Sequence, residues 1–256
     1  MTIARLLTAA LAAGLAIGCS SLARASAFDA AVERTPGLLA YFPFTFASQA
    51  NSTVHGYTGV LVNRAAVGGP GSGPPVGDQN SSALVLPNEQ GATAYATAGG
   101  VRPLMGRIGN SGSIVAWINL ASLPSSQGRI FSIAGESAFG NDFDLQIDNS
   151  DDTLRFYTDN GGYTAAPAFT VENVGQWLFI AATFSAGRVR TLYINGVAVG
   201  GSTPGPHRLS PEAPFYVGQS NVFPGRHFDG AISDVAVFNT DLTAAQVADL
   251  YLASRR

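Results

Sequence analysis

The chain has 256 residues, of which 46% are apolar and only 12% are charged, and it includes 30 glycines and 14 prolines. All 14 basic residues are arginines, so chemistry that needs a lysine, such as Schiff-base formation or an isopeptide cross-link, is excluded. The formal net charge of −3 provides no attraction to nucleic acid or to an anionic membrane surface.

The first 27 residues have the pattern of a secretory signal peptide. An early cation, Arg5, precedes an apolar run over residues 6–17, and small residues follow. The run is too short and wrongly flanked for a transmembrane helix. We therefore expect residues 1–27 to direct export and residues 28–256 to form one domain outside the cytoplasm.

Two processing routes fit this segment. Residues 25–27 (ASA) match a signal-peptidase site that would release the chain from Phe28, and this is the route we expect. Residues 16–19 (AIGC) instead resemble a bacterial lipoprotein box, in which Cys19 would become the lipidated N terminus. Membrane attachment is expected only on this second route. Because Cys19 is the single cysteine, the domain has no disulfide on either route.

Short β-strands separated by Gly, Pro, Asn and Asp dominate the rest of the chain. A helical turn is expected at residues 29–34, and Pro43 predicts an edge strand or a bulge near the first strand. The Gly/Pro-rich residues 65–80 predict a long surface loop that holds no strand. The C-terminal residues 240–256 predict a helix with Thr243 as N-cap. The predicted strands are 38–46, 58–63, 83–86, 93–96, 113–119, 129–134, 143–147, 153–157, 215–218 and 230–238.

Residues 176–199 predict a three-stranded meander. A buried strand at 176–185 is followed by an alternating strand at 188–194, and Asn195-Gly196 then separates it from a short strand at 197–199. Asn-Gly between two apolar runs indicates a type I′ hairpin turn, which needs positive φ at both central residues. The spacing of about ten residues between strands indicates an all-β sandwich of antiparallel sheets. Trp117 and Trp177 fall within strand patterns and are predicted to be buried.

Four stretches together resemble a laminin-G-like domain of the concanavalin A-like lectin/glucanase superfamily, of a bacterial secreted type. They are LLAYFPFTF (38–46), SIVAWINLASLP (113–124), GQWLFIAATFSAGRVRTLYINGVAV (175–199) and residues 215–251, which include FDGAISDVAVFN. The resemblance implies a jelly-roll β-sandwich with a short C-terminal helix. Relatives often have Asp-Glu where this chain has Ser233-Asp234, and that acidic residue can help to hold a structural calcium ion. The serine argues against calcium at this position.

The residue patterns of enzymes with this fold are missing. A glucanase would carry Glu-x-Asp-x-x-Glu on one strand, which places its carboxylates on one face. None of the five glutamates belongs to such a pattern. Residues 144–147 (DLQI) are faintly similar to a polysaccharide lyase strand, but all three histidines lie beside turn residues. We therefore predict that the protein is not an enzyme.

Acidic residues are densest over residues 141–159, and they are the candidates for a calcium site. Calcium takes six to eight oxygen ligands, most often from loops. The alternative is a hairpin turn at residues 149–152, because Asn and Asp hydrogen-bond to their own backbone. The candidate ligands are Asp142, Asp144, Asp148 and Asp151.

Two loops combine aromatic rings with amides and charged groups, as carbohydrate sites do. Sugar C–H faces pack on aromatic rings while amides and carboxylates bind the hydroxyls, although each tyrosine could equally pack at a strand end. The candidates are Tyr157, Asp159, Asn160 and Tyr163 in one loop, and Asn221 and Arg226 in the other. We predict a secreted, non-catalytic module that recognises an extracellular or cell-envelope carbohydrate. The alternatives are a protein–protein interaction or structural envelope module, and, third, a glycan-cleaving enzyme.

Overall fold

The computed structural model describes residues 26–69, 71–76, 81–87, 93–97, 104–124, 128–132, 144–158, 163–185, 189–200, 215–219 and 226–255. Within these residues the chain forms two α-helices, α1 (Ala27–Arg34) and α2 (Ala244–Ala253). The strands are β1 (Leu38–Phe42), β2 (Thr58–Val62), β3 (Ala66–Val67), β4 (Leu84–Leu86), β5 (Thr93–Thr97), β6 (Gly112–Leu120), β7 (Gly128–Ser132), β8 (Asp144–Ile147), β9 (Thr153–Tyr157), β10 (Tyr163–Ala168), β11 (Trp177–Phe184), β12 (Arg190–Ile194), β13 (Val197–Ala198), β14 (Phe215–Val217) and β15 (Gly230–Phe238).

The strands form two antiparallel sheets. The first sheet has the order β13-β12-β11-β6-β15-β4-β3, and β1 pairs with the second half of β15 beyond the end of β4. The second sheet has the order β10-β9-β8-β7-β14-β5-β2. Consecutive strands often lie in different sheets, which is the jelly-roll arrangement that the sequence predicts.

A large apolar core fills the space between the sheets. The first sheet contributes alternate residues of its central strands, such as Ile114 and Ile118 of β6, which are fully buried. The second sheet contributes Ile147 of β8 together with Leu154 and Phe156 of β9. Because side chains alternate across a strand, the intervening residues of β8 and β9 lie on the outer face of the second sheet.

A second core, which we call the outer core, covers the outer face of the first sheet. Here Trp117 of β6 and Phe179 of β11 pack under α1 and α2, with ring centroids 5.5 Å apart. Phe28 of α1 contacts both rings edge-on at 6.4 and 6.0 Å. The first sheet is therefore buried on both faces, which explains why its central strands are almost continuously apolar.

Both helices begin with a capping box. In α1 the Ser26 side chain accepts a hydrogen bond from the Asp29 N–H, and Asp29 accepts one from the Ser26 N–H. In α2 the same exchange joins Thr243 and Gln246, which confirms Thr243 as N-cap. These bonds satisfy backbone donors that the first helical turn leaves without partners.

The hairpin predicted at Asn195-Gly196 is confirmed. Asn195 and Gly196 have φ of 50° and 79°, and Ile194 pairs with Val197 across the turn.

The prediction that residues 65–80 hold no strand is wrong. The segment 65–80 does hold a strand, because Ala66 and Val67 pair with residues of β4.

The burial predicted for the two tryptophans is confirmed for Trp117 and wrong for Trp177. Trp117 is 4% exposed, in the middle of β6. Trp177 is the first residue of β11 and only half-buried, since it lies at the border of the outer core. Sequence pattern placed both in strands but did not show where the covering helices end.

The difference in burial gives a test of the outer core. Trp117→Ala should lower the free energy of unfolding by about 3–5 kcal/mol, as large-to-small changes at buried aromatic sites do. Trp177→Ala should cost about 1–2 kcal/mol, because its ring loses less buried area. Urea denaturation of both variants measures the difference, and equal losses would contradict the described packing.

Candidate functional site

The outer face of the second sheet carries a cluster of polar and aromatic side chains from β8, β9 and β10. Asp144 pairs with Tyr157, and Gln146 pairs with Arg155 across the β8–β9 ladder. Tyr163 pairs with Tyr157 across the next ladder. Directly paired residues point to the same face of a sheet. We call this cluster the tyrosine face: it comprises Asp144, Gln146, Asp148, Arg155, Tyr157 and Tyr163.

Arg155 holds the tyrosine face together. Its guanidinium pairs with Asp148 at 2.9 Å and with Asp151 at 2.7 Å, and its Nε donates to Thr153 Oγ1 at 3.1 Å. The guanidinium carbon lies 4.6 Å from the ring centroid of Tyr163. Arg155 therefore fixes the Tyr163 ring by a cation–π contact while three side chains of the β8–β9 hairpin fix Arg155.

The two tyrosines form an aromatic platform. Their ring centroids are 5.1 Å apart with an interplanar angle of 44°. Tyr163 is 40% exposed although it is large and begins a strand. A ring that is exposed yet held in place loses little conformational entropy when a ligand packs on it.

Two buried polar side chains, Asp144 and Gln146, lie beside this platform. Each is 1% exposed. The Gln146 amide donates to Asp148 Oδ2 at 3.2 Å, while its Oε1 is buried and has no hydrogen-bond partner within the described ranges. A buried acceptor without a donor costs about 1–3 kcal/mol. A hydroxyl donor placed at Gln146 would recover that cost.

Hydrogen bonds and the charge of Arg155 keep Asp148 and Asp151 ionised. Burial alone would raise the pKa of Asp148, but hydrogen bonds from the Ser150 side chain and backbone and the charge of Arg155 lower it below its usual range. Hydrogen bonds from Thr153 and Arg155 lower the pKa of Asp151. Burial raises the pKa of Tyr157 in spite of the opposing effect of Arg155. At neutral pH Asp148 and Asp151 are therefore carboxylates, and Tyr157 is a neutral phenol.

The structure supports the hairpin interpretation of the acidic residues. Asp148 Oδ1 accepts from the Ser150 N–H at 3.0 Å, and Asp151 Oδ1 accepts from the Thr153 N–H at 3.1 Å. Of the candidate calcium ligands, Asp142 lies outside the described residues. Within the described ones, no three His, Cys, Asp or Glu side chains converge as a metal site requires. Calcium at Asp144, Asp148 and Asp151 stays a prediction, and the ion pairs with Arg155 oppose it.

The structure unites only part of the predicted carbohydrate site. Tyr157 and Tyr163 are adjacent, whereas Asp159, Asn160 and Asn221 lie outside the described residues. Arg226 precedes His227, which bridges to Gln219 just beyond β14. Strands β7 and β8 separate β14 from β9 in the sheet. Arg226 therefore belongs to another part of the second sheet.

Sequence reasoning missed Arg155 as the organising residue and Gln146 as a buried member of the tyrosine face. The available signal was the alternation of polar with apolar residues over both strands of the hairpin. Asp144, Gln146 and Asp148 alternate with Leu145 and Ile147, as Arg155 and Tyr157 do with their apolar neighbours. Applied to both strands at once, this pattern places all five polar side chains on one face.

A second polar cluster, separate from the tyrosine face, is buried beneath α1. The Tyr41 hydroxyl is within hydrogen-bonding distance of Asp29 Oδ1 and, at 2.7 Å, of Asp234 Oδ1. Asp234 also accepts from the Ser233 hydroxyl at 3.0 Å. A phenol has one proton and can donate to only one carboxylate. The second contact therefore needs a proton on a carboxyl group.

Asp234 is the group that takes this proton. It lies at a bulge of β15 with φ of 54° and is 5% exposed. Burial raises its pKa to about 7, with the charge of Asp29 adding to the rise and the bonds from Tyr41 and Ser233 opposing it. A calcium ion does not fit here, because the Tyr41 hydroxyl already bridges the two carboxyl groups and the Ser233 hydroxyl donates to Asp234 Oδ2.

Comparison with known proteins agrees with this architecture. The family model of the concanavalin A-like lectin/glucanase superfamily, laminin-G type, matches residues 73–248. The chain belongs to this superfamily. No curated protein sequence matches the chain.

Solved structures with the same fold include binding domains and parts of enzymes. Domain 4 of AbnA, an extracellular GH43 arabinanase of Geobacillus stearothermophilus, in complex with arabinotriose, has a TM-score of 0.61 at 17% identity, covering 84% of this chain and 98% of its own. Trypanosoma rangeli sialidase in complex with sialic acid has a TM-score of 0.62 at 16% identity, covering 86% of this chain but only 33% of the sialidase. The receptor-binding domain of botulinum neurotoxin C/D mosaic serotype has a TM-score of 0.60 at 14% identity, covering 84% of this chain and 51% of its own. At these identities the similarity shows the fold alone.

None of the described helices is both long and apolar enough to cross a membrane.

The buried Asp234 predicts how stability depends on pH. Its pKa is about 7 in the folded protein and about 3.9 when unfolded. Between these values the folded state keeps a proton that the unfolded state has lost, so the free energy of unfolding should fall as pH rises from about 4 to 7, by at most about 1.4 kcal/mol per pH unit. Below about pH 4 the lowered pKa values of Asp148 and Asp151 act in the opposite direction, because protonation removes their contribution to stability.

The matched variant for this test is Asp234→Asn, which keeps the shape of the side chain but cannot ionise. Urea denaturation at pH 4, 5.5 and 7 should show a smaller decrease in stability for the variant than for the native protein. The same pH dependence in both proteins would show that Asp234 is not the titrating group.

Proposed function

We propose that this protein is a non-catalytic carbohydrate-binding domain that binds a glycan on the tyrosine face. The observation that carries the proposal is the exposed Tyr163 ring, which Arg155 and Tyr157 hold beside buried polar groups. An exposed aromatic ring next to fixed hydrogen-bonding groups matches the amphipathic surface of a sugar.

Each part of the face has a counterpart in sugar chemistry. The Tyr163 ring offers an apolar surface for the C–H face of a pyranose or furanose ring. The Gln146 Oε1, which lacks a donor among the described side chains, can accept a bond from a sugar hydroxyl. The ionised Asp151 is a further acceptor, and its side chain is 47% exposed at the rim. The face thus favours hydroxyl-rich, neutral ligands over anionic ones.

The same groups are unsuited to cleaving a glycosidic bond. Hydrolysis requires a carboxylic acid with a raised pKa opposite a carboxylate that acts as nucleophile or base. Asp148 and Asp151 have lowered pKa values and both pair with one arginine. Neither is placed to donate a proton at neutral pH, which supports a binding role.

The structural neighbours are consistent with this role. The arabinanase domain was solved with arabinotriose, and 98% of that domain is covered, so the likeness concerns a complete accessory domain. The sialidase is covered over only a third of its length. Arabino-oligosaccharides, which are neutral, are accordingly the first ligands to test.

We also propose that the domain acts outside the cytoplasm. Ser26, which caps α1, would be lost by cleavage after residue 27 and retained by processing at Cys19. The capping box therefore favours the lipoprotein route over simple secretion. Intact-mass measurement of the protein from its native membrane or medium distinguishes a lipidated Cys19 terminus from a Phe28 terminus.

Removal of the exposed ring tests the binding surface. Tyr163→Ala should weaken glycan binding by about 1–3 kcal/mol, a loss typical of an aromatic contact residue, with little change in melting temperature. Isothermal titration with arabinotriose and a panel of neutral soluble polysaccharides measures the affinity. Phe46→Ala is the matched control, because Phe46 is 75% exposed and aromatic but outside the tyrosine face. Unchanged affinity in Tyr163→Ala would exclude this surface.

Removal of the organising cation tests how the ring is held. Arg155→Gln should weaken binding of the same glycan although Arg155 itself is mostly covered, because Tyr163 loses its cation–π partner. It should also lower stability by about 1–3 kcal/mol, since Asp148 is left buried without its counter-charge. Arg34→Gln, at the exposed end of α1, controls for the loss of one positive charge. Native affinity in Arg155→Gln would contradict the positioning role.

A further inference from the structure

A cavity of about 330 Å³ lies on the outer face of the first sheet, on the side of the molecule opposite to the tyrosine face. Its floor is formed by β6, β11 and the turn after β12, and one wall is the C-terminal end of α2. Pro75 also lines the cavity. The cavity is also lined by Trp117, Trp177, Asn195, Tyr251 and Arg255.

The walls of the cavity are aromatic. The ring centroids of Trp117 and Tyr251 are 6.2 Å apart at an angle of 35°, and Trp177 lines the same space from the start of β11. Trp177 and Tyr251 are half-buried, so part of each ring is open to a ligand. Flat apolar walls of this kind accommodate a ring-shaped ligand.

Three side chains that line the cavity offer hydrogen-bond donors. The Trp117 indole N–H is buried and has no acceptor among the described residues. Asn195 Oδ1 already accepts from the Phe179 N–H at 3.0 Å, which leaves its amino group as a donor. Arg255 donates to the Tyr251 hydroxyl at 2.8 Å and makes no ion pair with any other described residue.

We propose that this cavity is a second binding site, for a small cyclic carboxylate. Arg255 binds the carboxylate, the aromatic walls enclose the ring, and the Trp117 indole and the Asn195 amide supply donors to its oxygen atoms. The positive charge of Arg255 distinguishes this site from the tyrosine face, whose carboxylates disfavour anions. Acidic sugars and aromatic acids share the required chemistry, a ring with one carboxylate.

The NMR signals of the tryptophan indoles can detect a ligand in this site, because the chain contains only two tryptophans and both line the cavity. A ¹⁵N–¹H spectrum therefore shows two indole signals, which the Trp177→Phe variant assigns. We expect D-glucuronate or benzoate to shift the Trp117 indole signal, while methyl glucoside and acetate do so at least about tenfold more weakly. A larger response to glucuronate identifies an acidic sugar, and a larger response to benzoate identifies an aromatic acid.

Two variants decide the outcome. Arg255→Gln should weaken the response to the acids by about tenfold or more, and its exposed position leaves the fold intact. Tyr163→Ala should leave the response unchanged, so that failure of the tyrosine face and failure of this site are distinguishable. The proposal is overturned if neither acid shifts an indole signal, if methyl glucoside acts as strongly as glucuronate, or if Arg255→Gln binds the acids normally.

Discussion

The structure depends on one strand, β6, whose two faces are both buried. Ile114 and Ile118 enter the core between the sheets, while Val115 and Trp117 enter the core beneath the helices. A sheet that is apolar on both sides is stable in water only if something covers each face. The second sheet covers one face, and α1 and α2 cover the other. The position of the helices is thus a consequence of the composition of β6 and its neighbours.

The two sheets differ in this respect, and the difference creates both candidate sites. In β8 and β9 of the second sheet, only alternate residues are apolar, so the other face is free to carry Asp144, Gln146 and Arg155. On the first sheet, α2 ends near Ser254 and leaves Trp177 partly uncovered, and the aromatic cavity lies at this border. One site is a polar sheet face with an exposed ring, and the other is a gap in an apolar cover. The carboxylates of the tyrosine face and the arginine of the cavity suit ligands of different charge.

Local signals in the sequence predicted most of the strands and turns, but they missed β3 and β10 and did not define the site. Asn195-Gly196 and Thr243 act through their own backbone, so the hairpin and the helix cap were predictable from single positions. The role of Arg155 was not, because it depends on the register between β8 and β9 and on the return of β10 beside them. Similarly, the partial exposure of Trp177 depends on where a helix nearly eighty residues later ends.

Binding of a glycan to the folded domain is measured most simply by thermal unfolding. The melting temperature of the protein is measured with soluble polysaccharides and oligosaccharides, each with calcium and with chelator. A ligand at a hundredfold excess over its dissociation constant stabilises the folded state by about 2.7 kcal/mol. We expect a rise in melting temperature with at least one glycan. The rise should be equal with calcium and with chelator, and the Tyr163→Ala variant should lose it. No rise with any glycan, or a rise that persists in Tyr163→Ala, would contradict glycan binding on the tyrosine face.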